Sequence, residues 1–242
     1  MNNLVKTIFA STLLFSVCAQ AQDEEAVDTS WNGVGEFGFV STSGNTETET
    51  LNLKLEFTKN LEDWRFRMAG GALTSSKEGT KDAERYMAEL QADRKFSEKS
   101  YMFSVYRYDM DKFGAYDPQQ SLVVGYGRQL MKNDTHELKG EIGVGYRSLK
   151  DALTGAKTDD AIVRLLLDDS WAITSSTHWT NRLLVESGSD NTFTQFNTGV
   201  AVAMNESFAL KFGFEVRNNS DVPPSVSEKT DTTTTMNLVY NF

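Results

Sequence analysis

The chain of 242 residues has one cysteine, three prolines and two histidines, and beyond its first residues it has no apolar run of membrane-helix length. Each scarcity removes a class of protein. The single thiol, Cys18, lies in a leader-like stretch, so the remainder has no disulfide framework and no thiol chemistry. The richest later stretch, Ala161 to Leu167, is broken by Arg164 and falls well short of the roughly 20 apolar residues that a spanning helix needs. Helical membrane proteins are excluded. Positive charge is also in deficit: 24 Lys and Arg stand against 34 Asp and Glu, for a formal net charge of −10. That balance repels phosphate and no basic stripe offsets it, so nucleic acid is not an expected partner.

What is present at the start is an export address. Lys6 supplies one positive charge, Thr7 to Val17 is a short apolar run, and Ala19-Gln20-Ala21 reads as a cleavage site. Residues 1–21 are expected to be a signal peptide that is removed, and residues 22–30 a short polar segment. Loss of Lys6 takes the formal charge of the remainder from −10 to −11. Val17 is too large a neighbour for Cys18 to suit a lipidation signal. No lipid anchor is expected.

From residue 31 to 242 the dominant pattern is alternation, which places successive side chains on opposite faces of a strand. Leu51, Leu53, Leu55 and Phe57 share one parity; Asn52, Lys54, Glu56 and Thr58 share the other. Phe208, Leu210, Phe212 and Phe214 repeat the pattern against Lys211 and Glu215. The pattern predicts twelve strands near 31–41, 47–59, 64–75, 84–96, 100–112, 120–131, 136–149, 159–172, 176–187, 192–204, 208–218 and 230–242. Segments of ten or more residues exceed the usual five or six of soluble sandwich strands. The expected fold is therefore all-β, a transmembrane antiparallel up-and-down β-barrel of outer-membrane type. Tight turns at every second position alternate with longer connections at 76–83, 113–119, 150–158 and 219–229. Short periplasmic turns and longer outer loops would put both termini in the periplasm.

Trp31, Trp64, Tyr101, Trp171, Trp179 and Tyr240 stand near strand ends, where amphipathic rings suit the headgroup level. Leu238, Tyr240 and Phe242 end the chain on one strand face. Such an ending resembles the signal read by the outer-membrane barrel assembly machinery, which is therefore an expected partner beside membrane lipid and lipopolysaccharide.

The polar face carries as many anions as cations. Its candidate functional residues are a charge network of Arg107, Asp109, Asp111, Glu141, Arg147, Arg182 and Glu186. A wall selective for acidic solutes would show an excess of one sign. Two readings stay open: a narrow, weakly selective pore, or a lumen filled by charge pairs in a structural barrel. Acids at Glu47, Glu49, Glu78, Asp82, Asp117, Asp159 and Asp160 are assigned to loops and rims. Catalysis is not expected, since His136 and His178 both open strands beside tight turns, away from the outer rim where a lipase or protease site would stand. No cofactor or metal is expected. Asp109-Met110-Asp111-Lys112-Phe113-Gly114 begins like a calcium loop, but Phe113 and Gln120 occupy ligand places. Gly125-Tyr126-Gly127 and Gly143-Val144-Gly145 lie within strands, where small inward residues relieve crowding.

Several motifs occur in a specific order: Trp31-Asn32-Gly33-Val34-Gly35-Glu36, Ser43-Gly44-Asn45-Thr46, Gly188-Ser189-Asp190-Asn191-Thr192, Pro223-Pro224, Asp231-Thr232 and Leu238-Val239-Tyr240-Asn241-Phe242. Together they resemble the salt-induced outer membrane protein family, domain of unknown function family 481. The resemblance implies an outer-membrane location and supplies no catalytic residues. Its salt label is an association with expression, from which an envelope-stress role is the expectation.

Overall fold

The computed structural model describes residues 30–42, 47–224, 226 and 228–242. The expected signal peptide at 1–21, most of the expected polar segment after it and the Ser43 to Thr46 motif lie outside the described residues. Twelve antiparallel strands follow in order: β1 Trp31–Thr42, β2 Thr48–Asn60, β3 Trp64–Lys77, β4 Thr80–Lys95, β5 Ser100–Asp111, β6 Tyr116–Lys132, β7 His136–Asp151, β8 Lys157–Ala172, β9 Thr177–Ser187, β10 Thr192–Ala203, β11 Phe208–Asn219 and β12 Thr230–Asn241. Each pairs with its sequence neighbours, and β1 pairs with β12 to close the barrel. The expected twelve strands and their up-and-down order are found.

Period-two patterning produces this fold because each strand has one apolar and one polar side. Leu53, Met68, Ile142, Val144, Leu165 and Phe212 are exposed on the outside, as a lipid-facing band requires. Their polar neighbours turn inward. Closing the sheet pairs β1 with β12 from Val34 to Phe37, so along that stretch the edges that a bilayer does not tolerate are covered.

Strand ends differ from expectation at one end of the barrel. The connection expected at 76–83 is a two-residue turn, in which Glu78 and Gly79 both take positive φ, 52° and 74°. Two successive left-handed residues match the twist of a type I′ hairpin. Polar residues such as Lys81 and Asp82 therefore extend the ladder instead of looping out. Likewise β6 begins at Tyr116, and the β7–β8 connection shrinks to residues 152–156. Of the four longer connections expected, the one at 220–229 keeps its length. We call this the loop end; the opposite turn end carries Trp31, Phe242 and the connections 61–63, 96–99, 133–135, 173–176 and 204–207.

The closing seam is the shortest ladder. β2 and β3 match at thirteen residue pairs, whereas β1 and β12 match at four, from Val34–Asn241 to Phe37–Leu238. Below them Gly33 and Phe242 exchange backbone hydrogen bonds of 2.7 and 2.9 Å.

Candidate functional site in the barrel lumen

The lumen divides into a packed half and an open half. From β5, Tyr101, Phe103 and Val105 point inward and meet Val123 of β6 and Ile162 of β8 as a buried cluster. Leu166, Leu184 and Phe193 continue it across β8, β9 and β10. Glycine makes this possible. A Cβ on Gly127 would meet the Tyr101 ring at 2.3 Å, and one on Gly125 would meet Phe103 Cζ at 2.7 Å. The in-strand glycines of β6 and β7 are the floor beneath inward aromatic rings. Tyr101 is accordingly not a headgroup anchor: it is buried, and its hydroxyl donates to Glu141 at 2.9 Å. Trp31, Trp64, Trp171 and Tyr240 do lie on the outer face.

The other half holds a cavity of about 370 Å³. Its wall carries seven cations, Lys54, Arg67, Arg85, Arg107, Arg182, Lys211 and Arg217, and six carboxylates, Glu36, Glu56, Glu89, Asp109, Asp168 and Glu215. Most are paired. Arg67 and Arg182 both reach Glu89 Oε1, at 2.5 and 3.1 Å, and Arg182 also holds Asp168 at 3.1 Å. Arg85 lies 3.0 Å from Glu215, and Lys211 lies 2.6 Å from Glu36.

The residues of the predicted network stand on β5, β7 and β9, and register decides which partner each one meets. Arg107 and Asp109 do pair, 2.6 Å apart on one strand, and Arg217 reaches Asp109 at 3.2 Å. Phe193 lies about 5 Å from both guanidiniums, so its ring offers them a cation–π contact. Arg147 and Glu141, in contrast, do not pair. Arg147 sits near the loop end, where it bonds Asp160 at 3.1 Å and the carbonyls of Asn191 and Glu186 at 2.6 and 3.1 Å. Asp160 is therefore a buried partner and not a rim acid. Glu141 accepts from Gln91 and Tyr101, each at 2.9 Å. Arg182 and Glu186 are likewise not partners: Arg182 faces the cavity, and Glu186 accepts from Ser121 at 3.0 Å. Asp111 ends β5 and accepts the Phe113 amide at 3.2 Å. Cross-strand register fixes these choices, and strand parity alone does not report it.

Arg164, outside the predicted network, is its hub on the packed side. It is 1% exposed, lies 3.8 Å from both Glu141 and Glu186, and stands over the Phe103 ring at 5.8 Å. Its signal in the sequence is that it interrupts the Ala161 to Leu167 run. At 3.8 Å the attraction is between charges and not through direct hydrogen bonds.

Asn191 links Arg147 to the longest loop. Its side chain donates to Asn219 at 2.8 Å and accepts from the Asp221 amide at 3.1 Å. The Gly188 to Thr192 motif thus forms a turn and also ties residues 220–221 over the packed half. Outside the spanning segments, Lys112 hydrogen-bonds Glu84, and that carboxylate holds its pKa above the ordinary lysine value.

At the turn end Phe242 lies over Gly33, edge-on to Phe57 at 5.6 Å and stacked on Tyr240 at 5.5 Å. Leu238, Tyr240 and Phe242 are exposed on the outer face. His136 is hydrogen-bonded to Asp169 at 2.5 Å and stacked on Trp171 at 5.9 Å, an outer-face arrangement at the turn end.

The NanC porin has a similar fold, with TM-score 0.52, 8% identity, and coverage of 87% of this chain and 98% of that one. An outer membrane channel from Pseudomonas putida F1 gives TM-score 0.53 at 8% identity over 88% and 95%. In sequence the chain is 26% identical to the uncharacterized protein YdiY of Escherichia coli (strain K12), over 93% of this chain and 89% of that one. The family model for a protein of unknown function, DUF481, matches residues 35–242. This outer-membrane-type barrel, with its half-packed and charge-balanced lumen, belongs to the DUF481 family, which the name salt-induced outer membrane protein fits.

Proposed function

We propose that the barrel is a narrow, low-conductance conduit for small zwitterionic or neutral polar solutes, with both termini in the periplasm and the loop end facing outward. The observation that carries this reading is the asymmetric lumen. One half is closed by Phe103, Val105, Ile162 and their neighbours, while a charge-balanced cavity runs beside it. Cavity-lining residues extend from Arg67 to Leu73 along β3 and from Lys211 to Arg217 along β11. At about 3.3 Å per residue and a strand tilt near 40°, each stretch covers roughly 15 Å along the barrel axis, about half of the bilayer core. A wall with both signs closely spaced orients a molecule that carries both signs and penalises neither ion strongly. Non-enzymatic transport also agrees with the fold shared with porins and channels.

The packed half favours one second reading, a structural role in which the buried ion pairs hold a rigid barrel. Planar-bilayer recording under a salt gradient separates the two. The conduit gives small steady steps with a reversal potential near zero. A silent bilayer supports the structural reading, and a large, strongly anion-selective current defeats both. Membrane lipid, lipopolysaccharide and the barrel assembly machinery are the proposed partners.

A further inference from the structure

The β1–β12 seam stops halfway. Beyond the Phe37–Leu238 pair the strands run on toward the loop end, β1 as far as Thr42 and β12 back to Thr230, with no further paired residues between them. They still touch at Gly38, where an added Cβ would meet the Asn237 Oδ1 at 2.3 Å and the Met236 carbonyl at 2.8 Å. Past that point Phe39 and Val40, neighbours that face opposite sides, are 57% and 49% exposed.

Bare strand edges are not tolerated in hydrocarbon, because no water satisfies their amides and carbonyls. The side chains at this edge are suited to water. On β12 Thr232 and Thr234 face outward, opposite Val216 and Phe214 of β11, so hydroxyls stand where the adjoining strand presents apolar groups. On the inner side Thr233 and Thr235 border the cavity. This edge therefore carries hydroxyls on both its outer and its cavity side. At its base Asn237 bridges Asn52 and Glu36, at 3.2 and 2.9 Å, and Lys211 neutralises Glu36.

We infer that the upper β1–β12 seam is a lateral port through which a membrane-borne single-chain amphiphile places a zwitterionic head in the lumen while its tail stays in lipid. Glu36 with Lys211 offers one group of each sign to such a head, and Phe39 and Met236 flank the tail on the lipid side. This goes beyond the conduit reading, which needs only the two ends of the barrel.

The test uses the full-length exported protein, purified and folded in phosphatidylcholine vesicles, with the photoreactive residue benzoylphenylalanine replacing Val40. Dodecylphosphocholine is the probe and tailless phosphocholine the control. Mass spectrometry after illumination is expected to show an adduct with the tailed probe alone. Bridging the port by a bismaleimide across Phe39→Cys and Met236→Cys should lower that adduct at least about fivefold, a difference near 1 kcal/mol. Should that pair fail to give the heat-modifiable folded form, Ser41→Cys with Thr234→Cys places the bridge one step higher. No adduct, an equal adduct with tailless phosphocholine, or an adduct unchanged by bridging overturns the port. Because no current is measured, a silent barrel would refute the conduit and leave this result standing.

Discussion

The ring of Phe242 occupies the space above Gly33 so closely that a Cβ on Gly33 would meet its Cε2 at 2.3 Å. The same two residues exchange both backbone hydrogen bonds. Phe242 therefore fastens β12 to β1 below the shortest ladder of the barrel.

Gly33→Val should displace that ring and destabilise the barrel by about 1–3 kcal/mol, the usual cost of overpacking. Deleting Phe242 should go further and reduce the folded, heat-modifiable form in the membrane while export continues. Urea midpoints in lipid vesicles measure the first effect, and gel mobility with and without heating measures the second. A Gly33→Val midpoint equal to the native value would show that the ring does not bear on closure.

Arg147→Ala should strand Asp160 and release the Asn191 carbonyl. Removing one member of a buried pair costs about 3–5 kcal/mol, because the remaining charge stays desolvated. The turn at 188–191 and the loop it ties should then open to protease first, whereas Arg94→Ala, at an exposed ion pair with Asp63, should change little. Equal proteolysis of the two variants would contradict the latch.

The orientation of the barrel has a direct chemical test. Leu153 is 74% exposed in the 152–156 connection, and Glu206 is exposed in the 204–207 turn. A cysteine at Leu153 should react with an impermeant maleimide on intact cells, and one at Glu206 only after the outer membrane is permeabilised. The reverse pattern would invert the proposed topology.

The twelve strands were legible because lipid outside and polar groups inside impose a two-residue rhythm over long segments. What parity conveys is which face a residue takes, and not which neighbour it meets. Arg107 meets Asp109 because the two stand two apart on one face of one strand. Arg147 with Asp160, and Arg182 with Glu89, depend on register and on contacts across the lumen. Glu78-Gly79 was misjudged because polar residues beyond the membrane band look like loop while the ladder continues through them. The packed half was least legible, since inward Tyr101, Phe103 and Val105 share the parity of the charges and break the polar-inside rule.

The charge balance of the cavity gives the most direct functional prediction. Arg182 neutralises Glu89 and Asp168 at the cavity wall, and Arg85 neutralises Glu215. Arg182→Gln with Arg85→Gln removes two positive charges and keeps polar side chains of moderate size, so Asp168 and Glu215, which lose their ion-pair partners, should attract cations into the cavity. Glu89→Gln with Glu215→Gln removes two negative charges and should shift preference toward anions. The reversal potential under a salt gradient should thus move in opposite directions for the two double variants, about a native value near zero. Their effects should weaken at high salt, where the Debye length falls to about 3 Å at 1 M. Two variants that shift together, or not at all, would mean that ions do not pass these side chains, and the lumen would then be a structural feature alone.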